Sequence, residues 1–255
     1  MSANNSKFWP ELGESISENY KEFHKKSSSK TPQERLTDVK KYFIGLIQAV
    51  YKRDKPRIED FIEKRKPIDE KLKRIETDLK VKIKDMLGIE PISASSFSAG
   101  TNLLDESDLD FNIPVPDLDK PATLVKLSNI CGLNGYEFVK IRSADNPGIH
   151  YVFQGFVEGV EIEIKLRYAP YYMKVHHLMH DYLDNKMPKE HKATIAWIKH
   201  NLKQLSKTNK SKKEVYDDFK ALYYEQGLAN AGVYEMLYPL IEGGGKKKGR
   251  RTRRR

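Results

Sequence analysis

Apolar residues recur at helical spacing through the first third of the chain. The sequence Thr31-Pro32-Gln33-Glu34 has the form of a capping box with proline at the first helical position, and apolar side chains then follow three and four residues apart from Leu36 to Val50. A second helix is predicted from about Pro56 to Leu87, with Gly88 as its C-terminal stop. The pattern therefore predicts an N-terminal helical region over residues 1–88.

From residue 89 the apolar period becomes that of β-strands. The segment pair His150–Val157 and Val160–Tyr168 is joined by Glu158-Gly159, which predicts an antiparallel hairpin. A helix is predicted from Lys120 to Cys131, with Asp119 as its cap. Three other short segments are rich in β-branched and aromatic residues and predict strands: Ile92–Phe97, Leu109–Val115 and Tyr136–Ile141. Residues 89–168 are thus predicted to form a small mixed sheet.

After Pro170 the helical period returns. It predicts four helices, over roughly Tyr171–Asn185, Lys189–Leu205, Lys212–Gln226 and Leu228–Ile241. The predicted fold is therefore α+β, in which a small sheet is flanked by N-terminal helices and a C-terminal helical bundle over residues 169–242.

The net charge of the chain is concentrated at one end. The chain of 255 residues has a formal net charge of +10, and the ten residues Lys246–Arg255 hold eight Lys and Arg and no acid. Without those eight charges the net charge falls to +2. Residues 243–255 are therefore predicted to be a disordered basic tail, able to bind nucleic-acid phosphates, an anionic membrane surface or a nuclear import receptor.

The composition bears on the cellular compartment in which the protein is expected. The single cysteine, Cys131, cannot form an internal disulfide, which favours a reducing compartment. The longest nearly apolar run, Tyr42–Tyr51, is half the length that a membrane span needs, and the N-terminus is polar. We expect an intracellular protein without a membrane span, cytoplasmic, or nuclear if the tail is a targeting signal.

The most informative stretch is Ser107–Ile113. Strand alternation places Asp108, Asp110 and Asn112 on one face and apolar residues on the other. Two carboxylates held side by side favour a cation between them, and hard oxygen ligands favour Mg²⁺ or Mn²⁺ over Zn²⁺. Taken alone, Asp-x-Asp is also common in turns, where aspartate bonds the local backbone.

Two neighbouring segments strengthen the catalytic interpretation. The stretch Ser95–Thr101 is a cluster of small residues whose backbone N–H groups could approach phosphates closely; its candidate nucleotide-binding residues are Ser95, Ser96, Gly100 and Thr101. In the last predicted strand one face is apolar and the other reads Glu161, Glu163, Lys165 and Arg167. If that strand lies beside the aspartate strand, it offers a third carboxylate for metals and cations for phosphate. By itself, such a face is as often the solvated side of a strand.

Over about residues 80–168 the sequence resembles the DNA polymerase β-type nucleotidyltransferase superfamily, which includes poly(A) and terminal uridylyl transferases. The resemblance rests on the serine turn, Ser-Asp-Leu-Asp and a late acidic strand. It implies that Asp108 and Asp110 bind the metals and that Ser95, Ser96 and Gly100 form the phosphate-binding turn. The family usually begins this turn with Gly-Ser or Gly-Gly, where this chain has Ser95. Glu163 matches the late carboxylate, which is normally Asp.

A second resemblance competes within the same superfamily. Ile149–Phe153 followed by Val160–Lys165 is similar to the RelA/SpoT-type guanosine polyphosphate synthetases, and on that alignment Glu161 is the catalytic carboxylate. Those synthetases lack the serine turn before a Ser-Asp-x-Asp pair, so this alignment ranks second.

The expected function is Mg²⁺- or Mn²⁺-dependent transfer of a nucleotidyl group from a nucleoside triphosphate to an acceptor hydroxyl, with an RNA 3′ end as the favoured acceptor. Two alternatives stay open. One is pyrophosphate transfer to GTP or GDP. The other is an inactive scaffold of the same fold that binds nucleic acid through its tail.

Overall fold

The structure is a computed structural model that describes residues 3–25, 30–104, 108–114, 137–143, 149–167, 177–208 and 213–232. It has the mixed α+β architecture that the sequence predicts. The helices in these ranges are α1 (Ala3–Phe23), α2 (Pro32–Leu87), α3 (Lys189–Thr208) and α4 (Lys213–Asn230), and a helical segment over 177–186 ends in a π-turn, Tyr182–Lys186. The strands are β1 (Ile92–Ser93), β2 (Asp108–Pro114), β3 (Glu137–Ser143), β4 (Ile149–Val157) and β5 (Val160–Arg167).

Helix α2 is one continuous helix of 56 residues, so the prediction of two separate helices is wrong. Its ends are those that the sequence predicts: Thr31 and Glu34 form a capping box, and Gly88 ends the helix at φ 68°. Pro56 and Pro67 lie inside it, and both are exposed. A proline inside a helix costs about 3 kcal/mol, and here the apolar contacts of the helix on both sides of the prolines offset that cost.

The described strands form one mixed sheet in the order β1-β2-β5-β4-β3. Strands β2 and β5 are parallel, and the other neighbouring pairs are antiparallel. The predicted hairpin between β4 and β5 is confirmed. Its two turn residues, Glu158 and Gly159, have φ values of 50° and 77°, which suit a two-residue turn whose central residues are both left-handed.

The described part of the chain has two hydrophobic cores, and α2 contributes to both. In the helical core the first half of α2 packs with α1, α3, α4 and the 177–187 segment, around side chains such as Phe43, Ile198 and Phe219. In the sheet core one stripe of α2 covers the inner face of β2, β4 and β5; that stripe consists of Leu72, Ile75, Leu79 and Ile83. Because α2 is one continuous helix that packs in both cores, it links the sheet to the helical bundle.

Two other predicted elements differ from the structure. Only Ile92–Ser93 of the predicted strand Ile92–Phe97 is extended, since the chain turns from Ser95 onward. The predicted break at Gly227 is absent, because α4 runs through it to Asn230 and Gly227 packs against Met179 and Leu183. The predicted helix Lys120–Cys131 with its cap Asp119, and the basic tail over 243–255, lie outside the described residues.

Across the described ranges, no helix is long and apolar enough to cross a membrane.

Candidate active site

Strand β5 lies directly beside β2, and the two polar faces are in register. Asp108 pairs with Glu161, and Asp110 pairs with Glu163. One step further along the strands, buried Asn112 stands beside Lys165. Because the strands are parallel and side chains alternate, these groups share the outer face of the sheet while the apolar residues between them face α2. The sheet thus places the two pairs of acidic residues, which are far apart in the sequence, side by side.

A lysine lies between the deeper pair of carboxylates. The ammonium Nζ of Lys165 is 2.8 Å from Oδ1 of Asp110 and 2.6 Å from Oε2 of Glu163. Gln154 of β4 donates its side-chain amide to Glu163 at 3.1 Å and to Glu161 at 3.3 Å. The carboxylates on this face therefore outnumber the lysine that neutralises them.

The pKa values of this cluster reflect burial and the excess of negative charge. Burial raises the pKa of Asp110 from 3.8 to about 6; Lys165 opposes the rise, whereas Asp108 and Glu163 add to it. For Lys165, burial lowers the pKa, but the carboxylates of Asp110 and Glu163 outweigh burial and leave it raised. Both groups thus hold a proton more tightly than usual, as expected where negative charge is crowded at a partly buried site.

The same crowding suits a hard cation. In the described part of the chain, with the side chains in their present positions, no group of three His, Cys, Asp or Glu residues could hold one metal ion. The ammonium of Lys165 is the cation between Asp110 and Glu163. The available donors are nevertheless all carboxylate oxygens, and Asp108, Asp110 and Glu161 all line one open cleft. This donor set fits Mg²⁺ or Mn²⁺.

The serine-rich segment after β1 forms a compact turn. The hydroxyl of Ser95 accepts a bond from the Ser98 amide at 3.2 Å, and the Thr101 amide donates to the carbonyl of Ser96 at 2.8 Å. Gly100 has φ 68°, and a Cβ there would lie 3.2 Å from the Lys192 side chain, so both conformation and space favour glycine. Ser96 lines the cleft, whereas Ser95 and Thr101 are buried within the turn.

This turn is anchored to α2 by a buried polar network. Nη1 of Arg65 donates to the carbonyls of Gly100 and Asn102, both at 3.2 Å. Nε of Arg65 also donates to Asp69 at 3.0 Å, and the other oxygen of Asp69 accepts from the side-chain amide of Asn102 at 2.7 Å. Since Arg65 is only 6% exposed, these bonds hold the turn at a fixed distance from the helix.

Helices α3 and α4 supply a basic wall opposite the acidic strands. Lys199 is buried, and its ammonium donates to the Thr101 carbonyl at 2.9 Å. Burial lowers the pKa of Lys199 to about 8, while nearby Asp108 acts in the opposite direction. The ammonium groups of Lys203 and Lys220 lie 5.7 and 5.2 Å from the centre of the Tyr216 ring. All four residues of this wall line the same cleft.

The cleft between the sheet and the helices has a volume of about 720 Å³. Its floor is acidic, and one wall is basic. The cleft is also lined by Lys71 and by six apolar residues: Ile68, Leu72, Leu103, Leu104, Phe156 and Val160. Such a cavity is of the size that binds small organic ligands and cofactors.

No protein-family model matches this chain, and comparison with curated proteins finds no match either.

The structure separates the candidate residues of the sequence, apart from Arg167, into three groups. Those that line the cleft are Asp108, Asp110, Glu161 and Ser96. Glu163 and Lys165 form the ion-pair cluster beside it, whereas Ser95, Gly100 and Thr101 build the turn. Arg167 pairs with Pro114 at the end of β5, and its side chain lies outside the described residues.

The basic wall and the Arg65 network were not predicted from the sequence. A signal for Lys199 was present in the sequence: it lies four residues after Ile195 and three before Leu202, on the apolar stripe of α3. A lysine on a core-facing stripe is unusual because burial disfavours its charge, so such a position predicts a functional or tightly bonded group.

Proposed function

We propose that this chain is a metal-dependent nucleotidyltransferase. The observation that carries the proposal is the register of β2 and β5, which sets Asp108 beside Glu161 and Asp110 beside Glu163; three of these carboxylates line a cleft with a lysine wall, and Glu163 lies next to it. The resemblance of the serine turn and the Asp-x-Asp strand to polymerase β-type enzymes supports the same conclusion. A fixed set of carboxylates and cations suits phosphoryl chemistry, which depends mainly on positioning and electrostatic stabilisation.

The lysine wall is the proposed binding site for the triphosphate. Lys199, Lys203 and Lys220 bring three cations to one side of a cleft whose floor is acidic. Their charges complement the phosphate oxygens, while the turn at Ser96 offers a hydroxyl at the same cleft. The turn is held in place because Arg65 donates to the carbonyl of Gly100 and Lys199 donates to the carbonyl of Thr101.

The acidic floor is the proposed site of reaction. Asp108, Asp110 and a third carboxylate would hold Mg²⁺ or Mn²⁺, which supplies Lewis-acid stabilisation of the charge on the reacting oxygens. The acceptor hydroxyl oxygen forms a bond to the α-phosphorus, and the bond from that phosphorus to the bridging oxygen breaks. Pyrophosphate leaves, and the proton of the hydroxyl passes to a site carboxylate and then to solvent.

We place the third carboxylate at Glu163. It stands directly beside Asp110 and is held by Gln154 and Lys165, so its position is fixed. For the acceptor we propose the 3′ hydroxyl of an RNA strand. The support is the sequence of the tail, whose eight cations follow a chain that is otherwise nearly neutral and suit a polyanionic substrate.

A second reaction is favoured by one observation. Glu161 is exposed and lines the cleft, whereas Glu163 is paired with Lys165. Glu161 is the carboxylate that the synthetase-like alignment assigns to catalysis. In that reaction the acceptor hydroxyl attacks the β-phosphorus, and the nucleoside monophosphate leaves.

The position of a radioactive label distinguishes the two reactions. The protein is incubated with Mg²⁺, an RNA pool or GDP, and ATP labelled at either the α- or the γ-phosphate. Nucleotidyl transfer places the α label in RNA and releases the γ label as pyrophosphate. Pyrophosphate transfer places the γ label in a guanosine polyphosphate and leaves the α label in AMP. The incubation with RNA is repeated with α-labelled GTP, CTP and UTP, in case the enzyme prefers a base other than adenine. If no label is transferred in any incubation, the proposal is contradicted.

A further inference from the structure

One aromatic side chain interrupts an otherwise polar surface next to the carboxylates. Phe156 of β4 is 38% exposed and pairs with Glu161 of β5. The neighbouring position on the same face of β4 is Gln154, which donates to Glu161 and Glu163. Since alternate residues of a strand share a face, Phe156 projects from the acidic face of the sheet rather than into the sheet core.

Phe156 lines the same cleft as the acidic residues Asp108, Asp110 and Glu161. Ile68 of α2, Leu104 and Val160 also line this cleft, although Val160 faces α2, on the opposite side of the sheet from Phe156. The lysine wall of α3 and α4 belongs to the same cleft. Single exposed apolar residues are common on protein surfaces, but Phe156 lies in a cavity that is also lined by cationic and anionic groups.

The arrangement matches the two halves of a nucleotide. Phosphates need cations, and a nucleobase has a flat apolar surface that stacks on aromatic rings. Lys199, Lys203 and Lys220 serve the first half, so the second half needs a flat apolar surface within the same cavity. Phe156 is the aromatic ring that β4 brings to the acidic floor.

We propose that Phe156 forms a nucleobase-binding subsite, in which a base stacks on the exposed ring within the cleft. The inference rests on the proposed function, because the lysine wall must hold phosphates for the base to reach Phe156. The base could belong to the triphosphate or to the 3′-terminal nucleotide of the acceptor, and the experiment separates the two sources.

The test compares ligands with and without a base. Binding of each ribonucleoside triphosphate, inorganic tripolyphosphate and the trinucleotide ApApA is measured by calorimetry in Mg²⁺ for the wild type and for Phe156→Ala, Phe156→Leu and Phe156→Tyr. Ile44→Ala is the matched control, because Ile44 is exposed to nearly the same extent, 39%, on the part of α2 that packs in the helical core. Melting temperatures show whether each variant is folded.

Removing the ring should weaken a base-containing ligand roughly 5- to 100-fold, the range measured for stacked bases, and leave tripolyphosphate within about twofold. Phe156→Tyr should bind like the wild type, and Phe156→Leu like Phe156→Ala. Weaker nucleoside triphosphate binding assigns the base to the donor, and weaker ApApA binding assigns it to the acceptor. The subsite would be overturned if Phe156→Ala bound every ligand as tightly as the wild type, or if it lost as much affinity for tripolyphosphate as for the base-containing ligands. It would also be overturned if Phe156→Leu bound like the wild type. If the wild type binds none of the ligands, the proposed function itself fails.

Discussion

Replacing Asp110 with asparagine should make the protein more stable at neutral and alkaline pH while removing its activity. Burial raises the pKa of Asp110 from 3.8 to about 6, a shift of roughly 2 units. At about 1.4 kcal/mol for each unit, the ionised carboxylate costs up to about 3 kcal/mol of folding free energy. Asparagine carries no charge, so Asp110→Asn avoids that cost, although it gives up the charged contact with Lys165.

The sign of the pH dependence follows from the direction of the shift. Because the pKa of Asp110 is raised, the folded protein binds more protons than the unfolded chain between about pH 4 and 6. The favourable contribution of protonated Asp110 to the free energy of unfolding is therefore fully present below about pH 4 and is lost as the pH rises through 6. The two proteins should therefore be alike at about pH 4, and the variant should be more stable at about pH 8. Asp184, whose pKa is also raised to about 6 by burial, affects both proteins equally.

Thermal unfolding at about pH 4 and pH 8 measures the effect. We expect the variant to gain roughly 1–3 kcal/mol at the higher pH, which is about 2–4 °C in Tm for each kcal/mol in a chain of this size. Mg²⁺ at about 100 times its Kd should stabilise the wild type by about 2.7 kcal/mol and the variant much less. Asp60→Asn is the control, because Asp60 forms an exposed ion pair with Lys64 and such pairs contribute little. A variant with a lower Tm than the wild type at the higher pH, or an equal gain from Mg²⁺, would show that the buried charge of Asp110 does not act in this way.

Three further predictions concern the carboxylates, the turn and the tail. Glu163→Gln should lower the rate of nucleotidyl transfer by at least ~100-fold and Glu161→Gln by clearly less, in steady-state assays; the reverse order would favour pyrophosphate transfer. Asp69→Ala should remove the acceptor of the Asn102 side-chain amide and of Arg65 Nε, lowering stability by about 1–3 kcal/mol and raising the KM for triphosphate more than it lowers kcat. An unchanged KM would show that the turn does not contact the nucleotide. Truncation after Glu242 should raise the KM for long RNA and leave kcat similar. A plot of the logarithm of RNA affinity against the logarithm of salt concentration should also become less steep, by about 0.7 for each RNA phosphate that the tail neutralises in the full-length protein. If the full-length and truncated proteins bind long RNA with the same affinity and the same dependence on salt, the tail does not bind RNA.

Much of the site could be predicted from the sequence because apolar and polar residues alternate along the strands that carry its carboxylates. The apolar positions Leu109, Phe111 and Ile113 fixed which side of β2 faces the core, and therefore which side carries Asp108 and Asp110. The Glu158-Gly159 turn likewise predicted the β4–β5 hairpin. Whether β5 pairs with β2 is a long-range question that local pattern leaves open.

The misjudged elements depend on tertiary contacts. Pro56, Pro67 and Gly227 are residues that usually end helices, yet each lies within a helix whose two ends pack into the protein. The contributions of Arg65 and Lys199 come from bonds to backbone carbonyls of the turn, and residue type does not reveal such partners.

The most direct test of the proposed activity is incorporation of α-labelled nucleoside triphosphate into a mixed RNA pool by the wild type and by Asp110→Asn. Each of the four ribonucleotides is supplied in turn with Mg²⁺ or Mn²⁺, and the RNA is resolved by length. We expect labelled, extended RNA that requires the divalent ion and falls at least ~100-fold in the variant. Failure of the wild type to label RNA with all four nucleotides, or equal labelling by the variant, would contradict the proposed activity.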